Sequence, residues 1–161
     1  MSAKDKETLR AFYVGSRQQL YTYAVSITGN RESAEDAIHS VFEQLLRMGH
    51  SPADLRPYVF RSIRNKALDC LRRTQTRTDS MFEVTAASQQ SESSPPFRPD
   101  EVERFLQTLS LDERETIILK IYNNFTFQEI ANLRQVHLST VPSWYRRGLD
   151  ELRALLNKEP L

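Results

Sequence analysis

The 161-residue sequence predicts an all-α protein of two small helical domains joined by a flexible linker. Apolar residues recur at helical spacing in two separate blocks, and the polar stretch between them lacks that periodicity. Four glycines in the chain are too few for a turn-rich all-β fold. The predicted domains are residues 1–73 and residues 101–161, and the second contains a helix-turn-helix.

Two helices open the first predicted domain. One runs from about residue 5 to residue 28, because its apolar side chains share a face and Gly29 then supplies a left-handed stop. Ser33 with Asp36 three residues later has the spacing of a capping box, and a single apolar stripe follows it. The pattern therefore predicts a second helix that opens at this box and ends near Gly49.

The third predicted helix has an apolar face and a basic face. Six Lys and Arg residues oppose only Asp69 between residues 56 and 73, although the whole chain has a net charge of +1. With the nearby aromatics Tyr58 and Phe60, such a surface suits a phosphate backbone and stacking on an unpaired base. A solvated charged face, with Asp69 and Arg73 as an i,i+4 ion pair, fits the same spacing, so both interpretations stay open.

Residues 74–100 form the predicted linker. They are rich in Ser, Thr, Gln and Pro and carry few large apolar side chains to bury. A flexible segment of this length lets the two domains occupy separate sites on a large partner.

Composition excludes several classes of protein. The single cysteine, Cys70, excludes an internal disulfide framework and is expected to be a buried apolar group. No apolar stretch approaches the ~18 residues of a transmembrane helix and no secretion signal opens the chain, so a cytoplasmic protein is expected. The three histidines, at positions 39, 50 and 137, fall in no metal or triad spacing. We therefore expect no enzyme, no metal site and no cofactor.

The second predicted domain has three helix-start signals. Ser110 with Glu113 and Thr126 with Glu129 have capping-box spacing, and Ser139 is expected to cap a longer helix after a tight turn. A short helix, a tight turn and a longer helix are typical of a helix-turn-helix, although a plain αα-hairpin has the same outline.

In a helix-turn-helix the second helix enters the major groove with its first residues nearest the base edges. Pro142 falls in the first turn of that helix, where a missing backbone N–H costs little. The side chains expected to contact duplex DNA are Ser139, Thr140, Ser143, Trp144, Arg146 and Arg147.

Both blocks resemble parts of the extracytoplasmic-function (ECF) class of bacterial sigma factors. Resemblance to sigma region 2 is carried by AEDAIHSVF at residues 34–42 and YVFRSIRNKALDCLRR at residues 58–73. Resemblance to region 4 is carried by LSLDERETIILKIYNNFTFQEIANLRQVHLSTVPSWYRRGLDELRALL. A region 2-like segment followed by a polar linker and a region 4-like segment is a more specific indication of this family than a helix-turn-helix alone.

The resemblance implies a dissociable subunit that binds core RNA polymerase, recognises promoter DNA as duplex and melted single strand, and helps to melt it. An anti-sigma factor is a further expected partner. Asn65 matches the family position near the flipped-out base. The residues implied in polymerase binding are Asp36, His39 and Phe42, those implied at the minus-ten element are Arg61, Arg64, Asn65, Lys66, Arg72 and Arg73, and those implied at the minus-thirty-five element are the six already named.

The chain departs from the family pattern at the second and the last of its helices. His39 and Ser40 stand where the family often has Gln and Glu, and Pro142 and Trp144 stand where it usually has basic residues. Trp144 is suited to a thymine methyl or to packing against a partner protein. Two alternatives remain open: a sigma-like decoy that binds an anti-sigma protein, and a helix-turn-helix regulator that works without polymerase.

Overall fold

The computed structural model describes residues 2–78, 104 and 106–158, and every regular element within them is helical, as the sequence predicted. We call residues 2–78 the first module and residues 106–158 the second module. The first module contains α1 (Ala3–Thr28), α2 (Arg31–Arg47) and α3 (Leu55–Thr78). The second contains α4 (Leu111–Ile117), a π-helical segment that continues it (Ile118–Tyr122), α5 (Phe127–Arg134) and α6 (Thr140–Lys158).

The three helices of the first module pack against one another as a bundle. Gly29 ends α1 with a positive φ of 67°, which confirms the predicted left-handed stop. The predicted capping box of Ser33 and Asp36 is wrong. The N-cap of α2 is Asn30, whose extended backbone lets its side chain accept from the Ser33 backbone N–H at 2.9 Å. Ser33 already lies inside the helix.

Helix α3 buries the face that the sequence assigned to the core. Val59, Ile63 and Ala67 have no exposed area. The helix continues to Thr78, past the predicted start of the linker at residue 74, because apolar periodicity reports where burial stops rather than where backbone hydrogen bonding stops. The remainder of the predicted linker, residues 79–100, lies outside the described residues.

The aromatic pair on α3 divides between surface and core. Tyr58 is half-buried, and its hydroxyl lies 3.5 Å from the Met48 sulfur. Phe60 is fully buried between the rings of Tyr23 and Phe125, at centroid distances of 5.4 and 4.9 Å. The prediction of Phe60 as a surface aromatic is therefore wrong, because the second module covers that side of the helix.

The second module contains the predicted helix-turn-helix, formed by α5 and α6. Both bonds of the capping box at the start of α5 are present: Thr126 accepts from the Glu129 N–H at 3.1 Å, and Glu129 accepts from the Thr126 N–H at 3.0 Å. Gln135 ends α5 in the left-handed region at φ 53°. Ser110 likewise caps α4 by accepting from the Glu113 N–H at 3.3 Å.

The two modules pack directly on each other. Helix α1 contacts α4 and its π-helical segment, and α3 contacts α5, so one apolar core runs through both modules. Phe60 and Phe125 meet edge to face within it, at an interplanar angle of 73°. Among the described helices, none has both the length and the apolar character needed to cross a membrane.

Candidate nucleic-acid interface

Two arginines in the first half of α3 donate to backbone carbonyls of the second module. The Arg56 guanidinium donates to the Asn123 carbonyl and lies over the Phe125 ring, 3.9 Å from its centroid. The Arg61 guanidinium donates to the Asn132 carbonyl at 2.8 Å, although much of its side chain remains exposed. The cationic face of α3 therefore contacts protein as well as solvent.

Arg64 has a more buried partner, the carboxylate of Glu115 in α4. Glu115 has no exposed area, and the Arg64 Nε lies 2.9 Å from its Oε1. The Tyr23 hydroxyl donates to the same oxygen at 2.8 Å, while Arg134 approaches the other oxygen at 3.3 Å. Burial and the neighbouring Glu115 charge raise the pKa of Tyr23 well above its ordinary value, so its hydroxyl stays a donor.

The rest of the predicted minus-ten set lies further along α3. Asn65 and Arg73 are exposed and Lys66 is half-buried. Arg72 is exposed and pairs with Asp69 at 3.6 Å. Asp69 thus pairs with Arg72, whereas the sequence predicted a pair with Arg73.

The predicted minus-thirty-five set lies at the start of α6, and most of it faces solvent. Thr140 is half-buried, and the exposed members are Ser139, Ser143, Arg146 and Arg147. The Ser139 hydroxyl lies 2.8 Å from the His137 Nδ1 in the preceding turn. This arrangement leaves hydroxyl and guanidinium groups together at one end of the helix, as a major-groove surface requires.

Trp144 is, like Thr140, only partly accessible. Its side chain is half-buried, and the Arg134 guanidinium lies over its ring, 4.7 Å from the centroid. The sequence left open a contact to a thymine methyl or to a partner protein. The structure shows an intramolecular contact of this ring, in which Arg134 links Trp144 to Glu115 and to Asp112, and the two alternatives stay predictions.

The predicted polymerase-binding residues share one face of α2. Asp36 and His39 are exposed, whereas Phe42 is half-buried and meets the Tyr13 ring edge to face at 4.9 Å. A groove of about 390 Å3 runs beside them between α1 and α2. Its lining combines apolar side chains with a charged rim: Lys6, Leu9, Arg10, Tyr13, His39, Phe42, Glu43 and Leu46.

Sequence reasoning missed the groups that hold the α3 arginines. Glu115 did carry a signal, because it lies four residues after Leu111 and four before Leu119, on the apolar stripe of its helix. A charge on such a stripe requires a buried partner. Asn123 and Asn132 act through backbone carbonyls, which no side-chain pattern reports. Within the described ranges, no cluster of three or more His, Cys, Asp or Glu residues is suited to a metal ion.

Comparison with known proteins agrees with this arrangement. Residues 12–78 match Sigma-70 region 2, and residues 100–152 match Sigma-70, region 4. The chain is 23% identical to the ECF RNA polymerase sigma factor SigX of Bacillus subtilis (strain 168), over 92% of this chain and 83% of that protein. It is also 23% identical to the RNA polymerase sigma factor SigV of the same organism, over 98% of this chain and 99% of that protein.

A solved structure has a similar fold. It is the sigma factor RpoE in complex with the anti-sigma factor NepR from Bartonella quintana, with a TM-score of 0.74 and 21% identity over 96% of this chain and 99% of that one. Two matched regions in the sigma order, and relatives aligned along nearly the whole chain, lead to one assignment. The chain belongs to the sigma-70 family of RNA polymerase sigma factors, in the extracytoplasmic-function class.

Proposed function

We propose that this sigma factor binds core RNA polymerase and directs it to initiate transcription through minus-ten and minus-thirty-five recognition. The observation that carries the proposal is the order of the matched regions, region 2 over residues 12–78 and region 4 over residues 100–152. As an initiation factor it supplies promoter specificity, and the polymerase supplies the chemistry. Its place of action is then the cytoplasm, together with the polymerase and the chromosome.

The proposed minus-ten surface is the polar side of α3. Asn65 is exposed there, and an amide can form two hydrogen bonds with the edge of an unpaired base. The surrounding cations supply attraction for the phosphate backbone, which holds the strand without reading its sequence. The residues we assign to this surface are Arg61, Arg64, Asn65, Lys66, Arg72 and Arg73.

The proposed minus-thirty-five surface is the start of α6. Arg146 and Arg147 are exposed one turn after the exposed Ser143, so cations and hydroxyls can reach phosphates and base edges together. Trp144 supports this surface indirectly in our assignment, because Arg134 lies against its ring. The full set is Ser139, Thr140, Ser143, Trp144, Arg146 and Arg147.

The proposed polymerase surface is the groove between α1 and α2, which His39 and Phe42 line, together with the exposed Asp36 one turn earlier on α2. Apolar area framed by charges is typical of a protein-binding surface, and Leu46 at this groove is 52% exposed. An anti-sigma factor is a further proposed partner, since the structurally similar RpoE was solved with the anti-sigma factor NepR.

Reconstituted transcription tests the function directly. Core RNA polymerase with the purified chain should initiate at discrete sites on genomic DNA of the host, and core polymerase alone should not. Transcript-end mapping then reads the promoter elements. A chain that does not bind core polymerase would contradict the proposal. Binding to duplex DNA alone would favour a polymerase-independent regulator, and binding only to an anti-sigma protein would favour a decoy.

Asn65→Ala tests the minus-ten assignment. We expect initiation on duplex promoters to fall about tenfold, because one direct base contact is worth about 1–3 kcal/mol. Affinity for core polymerase, measured by fluorescence anisotropy, should not change. Asn157→Ala, which removes another exposed helical asparagine, is the matched control. Equal loss of initiation and core binding by Asn65→Ala would indicate that Asn65 does not read the promoter.

A further inference from the structure

One guanidinium joins the three helices of the second module. Arg134 is the last residue of α5, and only 7% of its side chain is exposed. It donates to the Asp112 carboxylate in the first turn of α4, and it lies over the Trp144 ring of α6, 4.7 Å from the ring centroid. The helix that carries the proposed minus-thirty-five surface is therefore attached to α4 and α5 through Arg134.

The chemistry of Trp144 suits this guanidinium. The Nε atom of Arg134 has no hydrogen-bond partner in the described part of the chain, so the ring contributes to stabilising a buried cation. A lysine or arginine in place of Trp144 would repel Arg134, and an aliphatic side chain would not attract it. An aromatic side chain attracts the cation because the face of its ring is negative.

Helix α6 also approaches α4 closely one turn after Trp144. Gly148 is buried, and a Cβ atom added to it would lie 2.5 Å from the Ile117 Cδ1 and 3.4 Å from the Glu113 Cβ, both in α4. Any larger residue would therefore require Ile117 to move. Trp144 and Gly148 are four residues apart and lie on one face of α6, which we call the inner face. Two successive turns of α6 are thus held against the rest of the module.

The exposed side chains of α6 depend on how the inner face is held. Ser143 and Arg147 are exposed, and they directly precede Trp144 and Gly148 in the chain. Since successive positions on a helix have a fixed geometry, any rotation or tilt of the inner face displaces both of them. Specific contacts need side chains placed within about 0.5 Å and 10–20° of the right geometry. The orientation of α6 therefore decides which bases these side chains reach.

We propose that Arg134 and Trp144 are positioning residues of the minus-thirty-five surface. Their contact sets the orientation of α6 and thereby the bases that its exposed side chains reach, and Trp144 stays on Arg134 when duplex DNA binds. The inference rests on the proposed function and deepens it, because it separates the side chains that touch promoter DNA from the pair that orients them.

Holoenzyme variants test the effect on promoter choice. Core polymerase with the full-length sigma factor is bound to duplex promoters with a fixed minus-ten element and a randomised minus-thirty-five region, and the bound molecules are sequenced. With Trp144→Leu, the preference for the selected minus-thirty-five sequence should fall about tenfold, with losses at every base pair that α6 reads. Trp144→Phe keeps a ring for Arg134 and should keep most of the preference. Tyr122→Leu, at an exposed aromatic residue outside α6, is the control.

A second substitution tests whether the two residues act together. Arg134→Met removes the cation over the ring and should lower the preference at the same base pairs as Trp144→Leu. The double variant should lose no more than the more affected single variant, because both changes remove one contact. Affinity for core polymerase, measured by fluorescence anisotropy, should not change in any variant. Circular dichroism confirms that each variant is folded.

Tryptophan fluorescence tests the contact without DNA or polymerase. Trp144 is the single tryptophan of the chain, so the emission reports on this site alone. In the free full-length chain, Arg134→Met should increase the quenching of this emission by acrylamide, because the ring loses the side chain that covers it. Arg153→Met, at an exposed arginine later in α6, is the matched control and should leave the quenching as in the wild type.

The outcomes separate positioning from direct reading of a base. A Trp144→Leu effect confined to one base pair, with normal preference in Arg134→Met, would overturn the positioning role and assign Trp144 to a base contact. Equal losses for Trp144→Phe and Trp144→Leu would overturn the attraction of Arg134 as the cause.

Two further results keep the proposal testable. If Arg134→Met does not fold, Asp112→Asn weakens an ion pair of the same guanidinium and should lower the preference by a smaller factor at the same base pairs. Unchanged preference in a folded Asp112→Asn variant would then count against positioning through Arg134. A wild-type holoenzyme that selects no minus-thirty-five sequence would overturn the proposed function, yet the increased quenching in the free Arg134→Met chain would still be observed.

Discussion

The first half of α3 and the start of α6 both carry arginines, but these arginines differ in whether they are bound to another part of the protein. Arg61 and Arg64 on α3 donate to the opposite module, whereas Arg146 and Arg147 on α6 are exposed. An exposed arginine meets DNA after losing only water and side-chain freedom, while a paired one must first leave its protein acceptor. The basic character of a surface therefore does not determine whether the surface is accessible.

The largest expected loss of stability comes from the apolar contacts that α3 makes with the second module. Phe60→Ala should lower the free energy of unfolding by about 3–5 kcal/mol, because its fully buried ring joins the cores of both modules. Tyr58→Ala, on the half-buried side of the same helix, is the control and should cost less. Urea denaturation followed by circular dichroism measures both. Equal losses would contradict the covering of Phe60 by the second module.

A pair of arginine substitutions tests the comparison itself. Arg64→Ala should lower the free energy of unfolding by about 1–3 kcal/mol, because the fully buried Glu115 loses a charged partner. Arg147→Ala, an exposed arginine on α6, should change it by less than about 0.5 kcal/mol. Thermal unfolding at two salt concentrations gives both values and shows how far each is screened. A larger loss for Arg147→Ala would reverse the distinction between the two surfaces.

The sequence predicted the helices well because their signals are local. The Gly29 stop, the Thr126 and Glu129 capping box and the core face of α3 all depend on residues within a turn or two of one another. The error at Ser33 was also local, since Asn30 three residues earlier has equally good capping chemistry. Such short-range competition is the usual limit on placing the end of a helix.

The contacts between the modules were not predictable in the same way. Arg64 and Glu115 are 51 residues apart, so no helical spacing relates them. Arg61 donates to the backbone carbonyl of Asn132. Whether that carbonyl is within reach depends on where α5 lies and not on which side chain Asn132 carries. Phe60 shows the same limit of sequence analysis. An aromatic residue beside cations has the sequence pattern of a nucleic-acid surface, and only the fold shows that the second module covers Phe60. The sequence specified the composition of each face, and packing between distant segments decided its exposure.

The smallest predicted effect concerns the start of α5, the helix whose Asn132 carbonyl binds Arg61. Thr126→Ala should lower the free energy of unfolding by about 1 kcal/mol, because the Glu129 backbone N–H loses its capping acceptor. Ser2→Ala at the N-cap of α1, which is outside the intermodule contacts described above, is the control for capping alone. Stability is measured by urea denaturation. A loss for Thr126→Ala that clearly exceeds the loss for Ser2→Ala would show that the box supports the contact between α5 and Arg61 as well as its own helix.

Acid pH tests the second hydrogen bond of the same capping box, in which the Glu129 carboxylate accepts from the Thr126 backbone N–H. The hydrogen bond from the Thr126 backbone N–H is the main cause that lowers the pKa of Glu129. Since the pKa of an unfolded glutamate is about 4.3, the unfolded state binds the proton more readily, and the stabilisation is complete above that pH and is lost as the pH falls through the folded pKa. The stability difference between wild type and Glu129→Gln should therefore shrink below about pH 4. Glu32→Gln, at an exposed glutamate in the first turn of α2, controls for helix-end charge. A difference that stays constant down to pH 2 would mean that protonation of Glu129 does not change the stability of the protein, and it would contradict a charged carboxylate as the acceptor in this capping box.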